Sequence, residues 1–166
     1  MALDTKTDDW QVCMILNAAA GAGIAAGDFR FDFYSAKANL TARFKFYGVG
    51  VGAGGNLSGV VLPATIGPFG PWSGITCDQQ FSVWDLNGCW GRLSAIGGGA
   101  GVVFGPMMIT AAKRFWSTTT LFHSQNVGGF GGGGAGVGGE VLIGGWHYST
   151  LSHNQPGSDG GDDTMA

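Results

Sequence analysis

Apolar and polar positions alternate with a period of two along this chain, and helical periodicity is nearly absent. Phe29, Phe31 and Phe33 alternate with Arg30, Asp32 and Tyr34, the pattern of a half-buried strand. Ser35-Ala36-Lys37 turns the chain, after which Leu40, Ala42, Phe44 and Phe46 share one face and Thr41, Arg43, Lys45 and Tyr47 the other. At Gly48 the pattern inverts. The positions that carried Phe now carry Gly48, Gly50, Gly52 and Gly54, while Val49, Val51 and Ala53 replace the charged residues. A strand that runs on through this point passes from an aromatic-filled interior to one where only glycine fits, and its outer face turns apolar. A pinched barrel or two packed sheets supply that environment.

The same unit recurs at Ala95–Gly105 (AIGGGAGVVFG) and at Asn126–Gly145 (NVGGFGGGGAGVGGEVLIGG). Asn87-Gly88, between FSVWDL and CWGRLSAI, predicts a two-residue type I′ hairpin. That register sets Trp84 against Gly91 and brings Asp85 diagonal to Arg92. Pro63, Pro68 and Pro71 mark a loop, and Gly105-Pro106 a further break. Strands are expected near 29–35, 39–48, 49–62, 80–86, 89–97, 99–111, 113–123 and 138–148. Residues 10–27 read equally as a short strand or a helix. The fold expected is all-β, a compact antiparallel barrel or sandwich of about eight strands with glycine-rich strands closing one end, since closure removes exposed edges. The chain divides into an arm and small-residue apolar segment (1–27), the barrel domain (28–148) and a disordered acidic tail (149–166).

Composition narrows the function classes. Of the 166 residues 33 are glycine, far above the usual share of about 7%. There is no G-X-Y period and proline is scarce, which excludes collagen. Net charge is −3 with 11% charged residues, so there is no basic footprint for nucleic acid. Met14–Gly27 is apolar, but Asp4, Asp8 and Asp9 precede it where a secretory leader carries Lys or Arg. It reads as a buried strand or turn, with a membrane-inserting segment as the alternative.

Candidate chemistry is sparse. Gly50, Gly52, Gly55 and Gly134, Gly136, Gly139 fit G-x-G-x-x-G, but a dinucleotide site needs a helix after the glycines, and neither stretch has one. His123, His147 and His153 lack metal-ligand spacing. Cys13, Cys77 and Cys89 form no metal motif and read as buried thiols, with Cys77 and Cys89 as the one pair that an oxidising compartment could bridge. Asp28, Asp32, Asp85 and Glu140 are too scattered for a carboxylate pair. No catalytic residue, metal ligand or cofactor is assigned. The binding candidates lie on the face opposite the glycines: Val49, Val51, Val102 and Phe104. Trp72, Trp84, Trp90, Trp116 and Trp146 are the residues able to line an apolar pocket in the barrel mouth.

ILNAAAGAGIAAG (Ile15–Gly27), QFSVWDLNG (Gln80–Gly88) and the repeated GGG-A-G-V runs resemble the virulence-associated (Vap) proteins of actinobacterial pathogens, over roughly residues 15–148. The resemblance implies a small eight-stranded antiparallel barrel, no enzymatic activity, and association with host endolysosomal membranes. It implies export as well; without it the chain reads as cytoplasmic. Lack of a leader, three cysteines and the acidic tail depart from the family, and no functional residue is carried over. The function expected is a non-enzymatic, effector-like barrel that contacts a host membrane lipid or partner protein. The alternatives are a self-assembling shell or fibre subunit, or a barrel that holds a small ligand.

Overall fold

The computed structural model describes residues 6–22, 24–54, 65–66, 72–103, 106–129 and 132–152. The inversion at Gly48 falls inside one unbroken strand, β3 (Leu40–Gly54), where two strands were expected. Before it run β1 (Gln11–Ala22) and β2 (Ile24–Ser35), which pair with each other from Gln11↔Tyr34 to Ala22↔Ile24. The ambiguous segment 10–27 is thus strand, and the expected domain boundary at 27/28 lies within β2. Short strands β4 (Thr65–Ile66), β5 (Ser73–Gly74) and β6 (Thr76–Cys77) follow, then a single helical turn α1 (Val83–Leu86). Four longer strands follow: β7 (Trp90–Val103), β8 (Pro106–Ala112), β9 (Phe122–Gly129) and β10 (Gly132–Ser152). β10 carries 21 residues, roughly 70 Å of extended chain.

These strands form one antiparallel sheet in the order β4-β1-β2-β3-β10-β7-β8-β9-β6, curled into a nearly closed barrel. The stretch Ser73–Cys77 clips the seam. Its first half, β5, pairs with β1, and its second half, β6, pairs with β9. Between the halves, buried Ile75 donates its N–H to the Trp10 carbonyl at 3.1 Å.

The even and odd faces are filled as the alternation predicts. Phe29, Phe31 and Phe33 of β2 and Ala42, Phe44 and Phe46 of β3 point into one core with Leu93, Ile109, Phe122 and Leu142. Trp146 of β10 lies at its centre, with ring centroids 5.3 Å from Phe31, 5.6 Å from Phe33 and 5.0 Å from Phe46. The indole N–H crosses to β8 and donates to the Thr110 carbonyl at 3.1 Å. Trp10 and Phe81 stack at 5.5 Å over one end of this core. The polar arm is partly bound here: Thr7 and Phe81 exchange two backbone hydrogen bonds of 3.1 Å, and Asp9 accepts from Ser35, Thr7 and the Lys37 N–H.

Beyond Gly48 the strands close in on each other. A Cβ at Gly50 would lie 1.8 Å from the Val141 carbonyl oxygen, and one at Gly144 equally close to that of Tyr47. Within the tract Gly131–Gly134, Gly131 lies outside the described residues. Gly132, Gly133 and Gly134 pair in register with Val103, Val102 and Gly101.

The segment around Asn87-Gly88 departs from expectation. Residues 83–86 form α1 rather than a strand, because Ser82 and Asp85 make a reciprocal capping box: the Ser82 Oγ accepts from the Asp85 N–H at 3.3 Å and the Asp85 carboxylate from the Ser82 N–H at 3.1 Å. Asn87 (φ −64°, ψ 125°) and Gly88 (φ +80°) then form a type II turn closed by Cys89 N–H to Leu86 carbonyl at 3.0 Å. Glycine is needed for its positive φ, but the turn joins a helix to a strand. Gly91 therefore faces Gly144 and Ala111, not Trp84, whose ring packs 5.2 Å from Tyr148. Asp85 is engaged by Lys113 at 3.1 Å and Lys6 at 3.8 Å, not by Arg92.

Candidate functional site

The inversion at Gly48 has a consequence on the outer surface. As glycine takes the interior, Val49 and Val51 come to face outward with 65% and 66% of their surface exposed. Strand register extends the patch sideways. Val49 lies opposite Ile143 of β10, which lies opposite Arg92 of β7. One row along, Tyr47 lies opposite Gly145, and Gly145 opposite Trp90. At Gly145 the His147 ring lies 3.0 Å from where a Cβ would sit and packs against Tyr47 at 5.8 Å.

The loop after β8 completes the site. Residues 113–121 were expected to begin a strand; they form a loop instead, and Ser117 N–H to Arg114 carbonyl at 3.0 Å closes a turn with Phe115 and Trp116 at its tip. The Ser117 hydroxyl and the Thr119 backbone brace it at 2.9 and 3.1 Å. At its base Lys113 binds Asp85, and the Thr120 hydroxyl donates to Asp78. Phe115 packs edge-on against Trp90 at 4.9 Å and against Trp116 at 4.4 Å. Trp116 itself is 87% exposed. Val49, Trp90, Phe115, Trp116 and Ile143 line an open cleft of about 530 Å³.

Of the candidates from sequence, Val49 and Val51 belong to this surface. Val102 pairs with Gly133 in the backbone register, with its side chain outside the description; Phe104 lies outside the described residues. The five tryptophans do not line one mouth. Trp146 is in the core, Trp84 is on Tyr148, Trp72 packs 6.0 Å from Tyr34, and only Trp90 and Trp116 share the cleft, on the outer wall. Tyr47, Phe115 and Ile143 were missed. For Phe115 the signal was Lys113-Arg114-Phe115-Trp116 running into Ser-Thr-Thr-Thr, a basic and aromatic run that no buried strand needs; Tyr47 and Ile143 carried none beyond their place on the outer face.

The other candidates separate. His123 lies 3.3 Å from Asp78, and His147 packs against Tyr47, so the two histidines do not meet. Among the described residues no three His, Cys, Asp or Glu side chains gather as a metal site. Gly134, Gly136 and Gly139 sit within β10, with strand rather than helix after them. None of the three cysteines is in a disulfide. Burial pushes the thiols of Cys77 and Cys89 up to about 11, and Cys89 Sγ donates to the Asp85 carbonyl at 2.9 Å. Both should therefore alkylate at least a hundredfold more slowly than a free thiol of pKa about 8.5 in mildly alkaline buffer. Iodoacetamide labelling followed by peptide mass mapping checks this; rates equal to those in denaturant would mean the thiols are not held as described.

Among the described residues no helix is long and apolar enough to cross a membrane, a statement that does not bear on strands. Comparison with protein-family models, with curated proteins and with solved structures finds no match to this chain.

Proposed function

We propose that this chain is a non-enzymatic binding module that docks on a membrane surface through the outer cleft. The observation that carries the reading is Trp116, almost wholly exposed at the tip of a hydrogen-bonded turn and backed by Phe115 and Trp90. A large ring held mostly in water gains from transfer into the membrane interface, where Trp and Tyr concentrate. Val49, Val51 and Ile143 extend the apolar area beside it. Apolar patches gathered in this way mark interaction surfaces. The resemblance to the virulence-associated family supports the same reading.

Vesicle co-sedimentation of the full chain with neutral and anionic lipids tests this. Trp116→Ser and Phe115→Ser should each lower vesicle affinity by roughly tenfold or more, because burial of such a ring is worth about 1.5 to 3 kcal/mol. Their unfolding temperatures should stay at the parent's, as neither ring belongs to the core. Vesicle binding that ignores both substitutions sinks the reading.

A further inference from the structure

We infer that the lipid headgroups recognised at this cleft are anionic, with Arg92 and Arg114 as their ligands. The inference rests on the membrane-docking reading and adds the chemistry of the surface. Lys6, Lys37, Arg43 and Lys113 each stand in an ion pair, whereas Arg30 and Lys45, half-buried and opposite each other on β2 and β3, stand in none among the described residues and lie away from the loop that carries Trp116. Arg92 and Arg114 are exposed and stand in no ion pair among the described residues. Both flank the apolar cleft. Arg92 lies in register between Ile143 and Thr110, and Arg114 opens the turn that carries Phe115 and Trp116.

The carboxylates tied to this loop are already engaged. Asp85 accepts from Lys113 and from the Ser82 N–H, and Asp78 from Thr120. Arg92 and Arg114 therefore place positive charge beside the apolar centre, with Asp28 opposite Tyr47 on the far side of the surface, although the whole chain carries −3. Guanidinium groups bind phosphate oxygens in paired hydrogen bonds and remain charged at any working pH. Rings that enter the interface with arginines at headgroup depth match a phospholipid surface. An acidic protein segment would satisfy the arginines but leave the Trp116 ring without an apolar medium.

The test is binding of the full chain to phosphatidylcholine vesicles and to phosphatidylcholine–phosphatidylserine vesicles, at low and raised salt. Binding should favour the anionic vesicles and weaken with salt. Arg92→Gln and Arg114→Gln should each lower that affinity about fivefold, with thermal unfolding unchanged. Equal binding to both vesicle types, sensitive to Trp116→Ser, overturns the headgroup inference and leaves the docking reading standing. Anionic preference that survives both arginine substitutions also overturns it. Failure to bind any vesicle removes both, and points to a protein surface as the occupant.

Discussion

Gly91→Val should cost on the order of 3 kcal/mol and lower the unfolding temperature by roughly 6 to 12 °C, given overpacking and a lost buried hydrogen bond in a domain of this size. Gly91 is the gap in β7 through which Trp146 reaches the next strand. A Cβ there would lie 2.1 Å from the indole Nε1 and 2.8 Å from the Thr110 carbonyl oxygen that the indole donates to. Those distances leave no room for both. Trp146 must then swing away from Phe31, Phe33 and Phe46, and its N–H loses its partner in a fully buried site. Thermal unfolding of Gly91→Val, Trp146→Phe and the double variant measures this. Valine should cost less once the indole N–H is gone, because the two residues act as one unit. Additive effects, or a Gly91→Val protein that melts within about a degree of the parent, would falsify the role given to Trp146.

The sequence suggested a bulky indole covering Gly91, and an indole is there, but from β10 and not from α1. Asn-Gly between two apolar runs reports that a glycine takes positive φ; a type I′ hairpin and a type II turn after a helix both use it. What decides between them is Ser82, three residues before Asp85, which caps a helix turn and draws residues 83–86 out of the sheet. Trp146, flanked by Gly145 and His147, carries no local sign that it fills the core. Its place follows from the pairing of Gly145 with Trp90 and Tyr47, a relation among three distant strands.

Where one face is buried and the other wet, the pattern could be read directly. Phe29 to Phe33 and Leu40 to Phe46 lie inside as their alternation requires. The inversion at Gly48 likewise told that Val49 and Val51 turn outward. Residues 10–27 gave no such contrast, since alanine and glycine suit either face, and so β1 could not be told from a helix. The loop at 113–121 was hidden for the opposite reason. Phe115, Trp116 and three threonines have strand composition, and the turn they form contains neither glycine nor proline. Trp90 and Trp116 were legible as pocket residues but not as parts of the outer wall, whereas the outward turn of Val49 followed from the alternation.

Gly144→Ala should be as damaging as Gly91→Val although it adds a single carbon. The new Cβ would lie 1.8 Å from the Tyr47 carbonyl oxygen and 2.6 Å from the Gly48 Cα. These are backbone atoms of the paired strand, so no rotamer change relieves the contact and β3 and β10 must separate. A loss of about 3 kcal/mol or more is expected, at the upper end of overpacking. Gly74 supplies the comparison, because a Cβ there meets nothing within 4 Å. Gly74→Ala should be neutral, or stabilising by about 0.4 to 1 kcal/mol through the unfolded chain. The same close approach seats Ile143 beside Val49 on the outer wall. Any Gly144→Ala protein that still folds should therefore bind vesicles more weakly than the parent, whereas Gly74→Ala, set in the seam clip, should bind as the parent does. Chemical denaturation and vesicle co-sedimentation of the two variants side by side decide the matter. Equal stability of the pair would mean that β3 and β10 do not pinch at Gly144, and the glycines would then need another explanation than the closing of this end of the barrel.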